Sequence, residues 1–111
     1  MMIKDEICTK SKDFMVICLN YNVKYLYAFG SSVTDCFDKQ KSDIDLLVEI
    51  DDPDPIERGE KLISLWDLFE KFFKRRVDLL TESSIHNPFL RNSIDSTEIL
   101  IYDGSGQKIF V

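Results

Sequence analysis

Two aspartates stand two residues apart at the head of an apolar run, Ser42-Asp43-Ile44-Asp45-Leu46-Leu47-Val48, and a Gly-Ser turn, Phe29-Gly30-Ser31-Ser32, precedes them. Residues i and i+2 of a strand share a face. Asp43 and Asp45 therefore project together, while Ile44 points into packing on the other side. Carboxylates held side by side repel each other unless a cation bridges them or one keeps a proton. Oxygen-only donors of this kind suit Mg²⁺, which retains several waters and shares substrate phosphates. A Gly-Ser turn that opens a helix can offer backbone N–H groups to those phosphates. The combination points to metal-dependent chemistry on a nucleoside triphosphate.

These residues need a frame. Val23 to Phe29 is rich in β-branched and aromatic residues and predicts a strand that Gly30 ends. Ser31 to Asp35 can begin a short helix, with Cys36 and Phe37 facing the core, and Asp38 to Lys41 is a polar loop. Asp43 to Ile50 predicts a second strand, apolar on both faces apart from the aspartates, as in an interior strand covered on both sides. An aspartate in such a strand needs a reason, which strengthens the metal reading. Arg76 to Leu80 predicts a third strand, in which Asp78 stands alone among apolar residues. Its alternative is a simple ion pair with Arg75 or Arg76. Glu98 to Tyr102 predicts a fourth strand, with an edge piece at Ile109 to Val111 after the turn at 103–106.

The helices follow from periodicity. Ile3, Ile7, Phe14, Ile17 and Tyr21 recur at helical spacing and predict one amphipathic helix over roughly 4–20, with Cys18 beside its apolar stripe. Asp54-Pro55-Ile56-Glu57 is a helix start: a capping acid, Pro at the first position and a further acid three residues after the cap. Leu62, Trp66, Phe69 and Phe73 then form a core stripe. A short helix after Asn87-Pro88 is expected. The fold class is α/β (α+β): a mixed, mainly four-stranded sheet with helices packed on it, in one domain over 1–111.

Composition narrows the function. The chain has 111 residues and a net charge of −6. Direct nucleic-acid binding is not expected, because gripping phosphates needs clustered Lys and Arg. The one basic cluster, Lys71 to Arg76, reads first as a solvated helix end. Three cysteines without C-x-x-C spacing argue against a disulfide framework. No segment suits a membrane span or a signal peptide, so a cytoplasmic protein is expected. His86, the single histidine, and Tyr25, Tyr27 and Tyr102 read as surface and packing residues.

Gly30-Ser31, eleven intervening residues, Asp43-x-Asp45 and the isolated acid of Val77-Asp78-Leu79-Leu80 together resemble the minimal nucleotidyltransferases of the polymerase-β-like nucleotidyltransferase superfamily. The resemblance covers nearly the whole chain. It implies that Gly30 and Ser31 hold the β- and γ-phosphates of the incoming nucleotide, with ATP the expected substrate although no residue dictates adenine over the other bases. It implies that Asp43 and Asp45 bind two Mg²⁺ ions, and that Asp78 completes one metal site and helps deprotonate an acceptor hydroxyl. Members of this family often pair, as antitoxins, with a helical HEPN-type protein encoded nearby, and some transfer AMP to a tyrosine of that partner. The family pattern continues after Gly-Ser with a variable residue, a small apolar one and Arg-Gly. Here those positions are Ser32, Val33, Thr34 and Asp35, so a cation near the phosphates is replaced. An antitoxin that neutralises its partner by binding alone is the second expectation. Nucleotidyl transfer to a small molecule such as an aminoglycoside is the third.

Overall fold

The structure, a computed structural model, describes residues 2–33 and 43–110. Two helices come first, α1 at Met2–Thr9 and α2 at Ser11–Asn20. The sequence predicts a single helix here. The chain breaks at Lys10, whose backbone (φ −124°, ψ 44°) is not helical. Thr9 and Ser11 flank the break. The Thr9 hydroxyl donates to the Asp5 carbonyl at 2.9 Å, a side-chain bond that weakens a helix interior. The break lets Ile3, Ile7, Phe14 and Cys18 all reach one core, where each is fully covered.

Strand β1 (Val23–Phe29) leads into a single 3₁₀ turn at Gly30–Val33. Strand β2 (Ile44–Ile50) follows, antiparallel to β1, with Phe29 opposite Asp45 and Ala28 opposite Leu46. The expectations for Thr34, Asp35, Cys36, Phe37 and the loop to Lys41 lie outside the described residues.

Helix α3 (Pro55–Phe73) starts as the sequence predicts. The Asp54 carboxylate accepts from the Ile56 N–H at 2.9 Å, and Pro55 occupies the first turn. The helix ends at Lys74, in the left-handed region at φ 55°. Leu65, Phe69 and Phe73 are buried; Leu62 and Trp66 are half-buried at the edge of the core. The Trp66 indole N–H donates to the Val77 carbonyl at 2.5 Å. This bond ties α3 to β3 (Val77–Leu80), which runs parallel to β2 with Asp78 opposite Asp45.

Helix α4 (Pro88–Thr97) is capped by Asn87, which accepts from the Phe89 N–H at 2.8 Å. Strand β4 (Ile99–Asp103) and the two-residue β5 (Lys108–Ile109) complete a five-stranded mixed sheet of order β3-β2-β1-β4-β5. It is one strand larger than the main four expected, and the extra strand is the edge piece read near the end of the chain.

The alternation of β2 sorts the layers. Ile44, Leu46, Val48 and Ile50 enter the larger core with α1, α2 and α3. Leu47 enters a smaller cluster with Phe29 and with Ile94 of α4. Asp45 alternates with Leu46, so it lies on the Leu47 side, facing away from α3. The basic segment behaves as a helix end: Lys71 pairs with Asp67 at 2.9 Å, and Arg75 pairs with Glu6 of α1 at 3.0 Å.

Candidate active site

The site is assembled where β1 ends and β2 and β3 begin. Asp43 immediately precedes β2, and Asp45 is its second residue. Both are half-buried, and Ile44 between them is fully covered, as two-residue periodicity requires. Asp78 reaches the same row from the neighbouring strand as the register partner of Asp45, and it is exposed.

Electrostatics mark Asp45 as the centre. Burial pushes its carboxyl from the ordinary 3.8 up to about 6, and the negative charges of Asp78 and Asp43 add to the rise. Asp43 and Asp78 therefore both act on Asp45 across the strand ends. Among the described residues they do not close into a ready-made cage of three or more metal donors. Asp45 sits in the middle, with Asp43 beside it along the strand and Asp78 across the sheet.

Gly30 is fitted to this carboxylate. Its φ of 64° lies in the left-handed region, and a Cβ there would stand 2.8 Å from Asp45 Oδ2. Glycine is required on both counts. The Gly30 N–H donates to Thr97 Oγ1 at 2.8 Å, and the Thr97 hydroxyl donates in turn to the Ser93 carbonyl at 2.6 Å. That N–H is therefore engaged by the end of α4. Ser32 is buried and accepts the Asp45 N–H at 2.7 Å. It links the 3₁₀ turn to β2 across thirteen residues of sequence.

Sequence reasoning missed Ser32 and Thr97 as parts of the site. Ser32 carried a signal, its place within the Gly-Ser-Ser turn. Thr97 carried none, since it lies sixty-seven residues from Gly30. Of the two arginines read as alternative partners for Asp78, Arg75 pairs with Glu6 at 3.0 Å. His86 is exposed, and Tyr102 is buried as packing. Tyr25 and Tyr27 stack edge to face at 5.5 Å, each half-buried.

The donor set is chemically suited to a hard divalent cation. All three side chains offer carboxylate oxygens, and both the burial and the neighbouring negative charges that raise the Asp45 pKa disfavour its carboxylate in a way a bound cation would offset. Such a sheet, with a glycine turn against a strand-borne Asp-x-Asp and a third acid on the next strand, defines a nucleotidyltransferase-like class.

Comparison with known proteins places the chain within that class. The sequence model of the nucleotidyltransferase domain matches residues 1–101. The chain belongs to this nucleotidyltransferase domain family, and the resemblance read from its motifs holds. Two relatives come from Methanocaldococcus jannaschii, both provisionally named protein adenylyltransferases. MJ1379 is 40% identical over 82 residues, covering 74% of this chain and 78% of the relative. MJ1217 is 37% identical over 97 residues, covering 87% and 91%. Among solved structures, one described as a minimal nucleotidyltransferase superposes with a TM-score of 0.58 at 21% identity, over 86% of this chain and 93% of the other. A toxin–antitoxin structure described as containing AMP-PNP superposes with a TM-score of 0.56 at 21% identity, over 90% and 73%. At these identities the structural likeness is one of fold.

Proposed function

We propose that this chain is a Mg²⁺-dependent nucleotidyltransferase that moves AMP from ATP onto a hydroxyl of a partner protein. The observation that carries this reading is the Asp45 carboxyl, half-buried between the charges of Asp43 and Asp78 with the Gly30 backbone packed against it. The names of the curated relatives support protein adenylylation, and the toxin–antitoxin neighbour supports a paired partner. From the family resemblance, that partner is a HEPN-type helical protein. A reduced, cytoplasmic setting agrees with the free thiols of Cys8 and Cys18.

In this reading Asp43 and Asp45 hold the metal, and Asp78 completes one site. Bound Mg²⁺ supplies charge neutralisation for the triphosphate and lowers the pKa of a coordinated hydroxyl. Gly30 keeps the turn side-chain-free where phosphate and carboxylate approach, and Ser31 contributes to the phosphate site. In this reading Asp78, exposed on β3, would accept the proton of the acceptor hydroxyl. The acceptor oxygen forms a bond to the α-phosphorus, the bond from that phosphorus to the bridging oxygen breaks, and pyrophosphate leaves.

The test is AMP incorporation into the protein encoded beside this chain, followed by intact mass with ATP and Mg²⁺. Wild type should label the partner. Asp43→Ala and Asp45→Asn should each lower the rate by about 100-fold or more, as should chelation of the metal. Unlabelled partner with wild type under these conditions would remove the catalytic reading.

One sequence observation favours a second reading, neutralisation by binding alone: Thr34 and Asp35 stand where the family carries Arg-Gly. Full neutralisation of the partner by an Asp43→Ala/Asp45→Ala double variant would support it.

A further inference from the structure

The 3₁₀ turn at Gly30–Val33 is held from three sides. Val33 packs against the larger core. The Gly30 N–H donates to Thr97 Oγ1 at 2.8 Å. Ser32 reaches the other way, and its Oγ accepts the Asp45 N–H at 2.7 Å. Of these three anchors, only the Ser32 hydroxyl ends on the main chain of a candidate metal acid. It does so where the antiparallel ladder stops. The β1–β2 register runs out with Phe29 opposite Asp45, and the chain leaves the sheet at Gly30. Beyond that last strand pair, a side-chain oxygen carries the contact between the turn and β2.

Burial makes this hydroxyl informative. Ser32 is 3% exposed. A hydroxyl so deeply covered costs free energy unless it is bonded, and alanine would occupy nearly the same volume without that cost. The Asp45 N–H supplies the reason for the oxygen, since a main-chain donor shielded from water needs an acceptor. The motif does not assign this role: Ser32 stands at the position that the family pattern leaves variable after Gly-Ser. The bond joins the two halves of the site. On one side is the glycine turn, where a Cβ at Gly30 would lie 2.8 Å from Asp45 Oδ2. On the other is Asp45, with Asp43 two residues before it and Asp78 opposite on β3. A displacement of about 1 Å between such halves can cost on the order of 100-fold in rate.

We propose that Ser32 is a positioning residue: its hydroxyl holds the Asp45 main chain at a fixed distance from the glycine turn and so orients the Asp45 carboxylate for a divalent cation. Ser32 acts through Asp45, and its role rests on the reading of Asp45 as a metal acid. Thr97 and Ser32 divide the work. Thr97 ties the turn to α4, and Ser32 ties it to β2 and the acids that β2 carries. Groups that orient a metal ligand from behind are worth about 10–100-fold in metal affinity or activity.

The probe is Mn²⁺, which shares the octahedral oxygen coordination of Mg²⁺ and whose free ion is counted by its EPR signal. Nucleotide and partner protein are left out, so the result does not depend on turnover. All variants are titrated at a temperature where circular dichroism shows them folded. Wild type should bind Mn²⁺, and Asp45→Asn should abolish that binding. Ser32→Ala should raise the Kd about tenfold or more, and Ser32→Cys, of similar size but a weak acceptor, should fall with it. Ser32→Thr returns the oxygen and should recover most of the affinity. Phe69→Leu, in the core on the opposite sheet face, should unfold at a lower temperature and bind Mn²⁺ as wild type does. Wild-type affinity in Ser32→Ala and Ser32→Cys would overturn the proposal and leave the metal reading standing. So would a Ser32→Thr variant no better than Ser32→Ala, or an equal loss of affinity in Phe69→Leu, which would make the effect one of stability alone. No Mn²⁺ binding by wild type, or binding that Asp45→Asn leaves unchanged, would overturn the metal reading and the proposal together.

Discussion

Asp45 is where residue chemistry and fold stability oppose each other. Its carboxyl titrates near 6 in the folded chain, against the ordinary 3.8. Between these values the folded state binds more protons than the unfolded one, so this group lowers stability as pH rises from about 4 to about 6. Above pH 6 the penalty is complete, and below about 4 it vanishes. A two-unit rise corresponds to about 3 kcal/mol; because the group is only half-buried, solvent screening reduces this to about 1–2 kcal/mol. In metal-free buffer Asp45→Asn should therefore be more stable than wild type by that amount at pH 7.5 and indistinguishable from it near pH 3.5, as read by urea unfolding. An unchanged pH profile would mean that the carboxyl is solvated. Gly30→Ala tests the opposing fit. A Cβ at 2.8 Å from Asp45 Oδ2, on a backbone at φ 64°, should destabilise the chain by about 1–3 kcal/mol and lower AMP transfer. Both aspartates and the glycine were legible in the sequence, because residue type and two-residue spacing are local facts. Ser32 was half-legible, and Thr97 was not legible at all.

At the scale of elements, α4 supports the site from a distance. Its last residue, Thr97, accepts the Gly30 N–H while donating to Ser93 within its own helix. Thr97→Val keeps the shape and leaves that N–H without its acceptor, a loss of about 1–3 kcal/mol where the group is shielded from water. Thr97→Ser should restore most of the stability and activity, which separates the hydrogen bond from packing; chemical unfolding and AMP transfer measured on the same preparations decide it. Most element starts were readable, since Asp54-Pro55 and Asn87-Pro88 cap their helices through local hydrogen bonds. The break at Lys10 was not. The apolar spacing of 3–21 is continuous, and the helix gives way there to let two short helices lie on one curved core.

At the scale of the molecule, α2, the helix after the break, meets α3 through aromatic rings. Phe14 lies 5.6 Å from Phe69, 5.4 Å from Phe72 and 6.4 Å from Phe73, centroid to centroid. Phe14→Ala should cost about 3–5 kcal/mol, seen as a lowered denaturation midpoint, and a loss under 1 kcal/mol would show that the N-terminal helices are dispensable to the core. The strands, the capped helices, the acids and the glycine turn were determined by the sequence itself, because periodicity, capping and backbone preference act over a few residues. Pairing is a different matter. That β3 lies parallel to β2 and puts Asp78 beside Asp45, that α4 closes on Gly30 across sixty-seven residues, and that Ile56 and Ile63 of α3 remain outside were decided by the tertiary structure. Register between strands and the choice of buried face depend on contacts between segments distant in sequence, which no local spacing encodes.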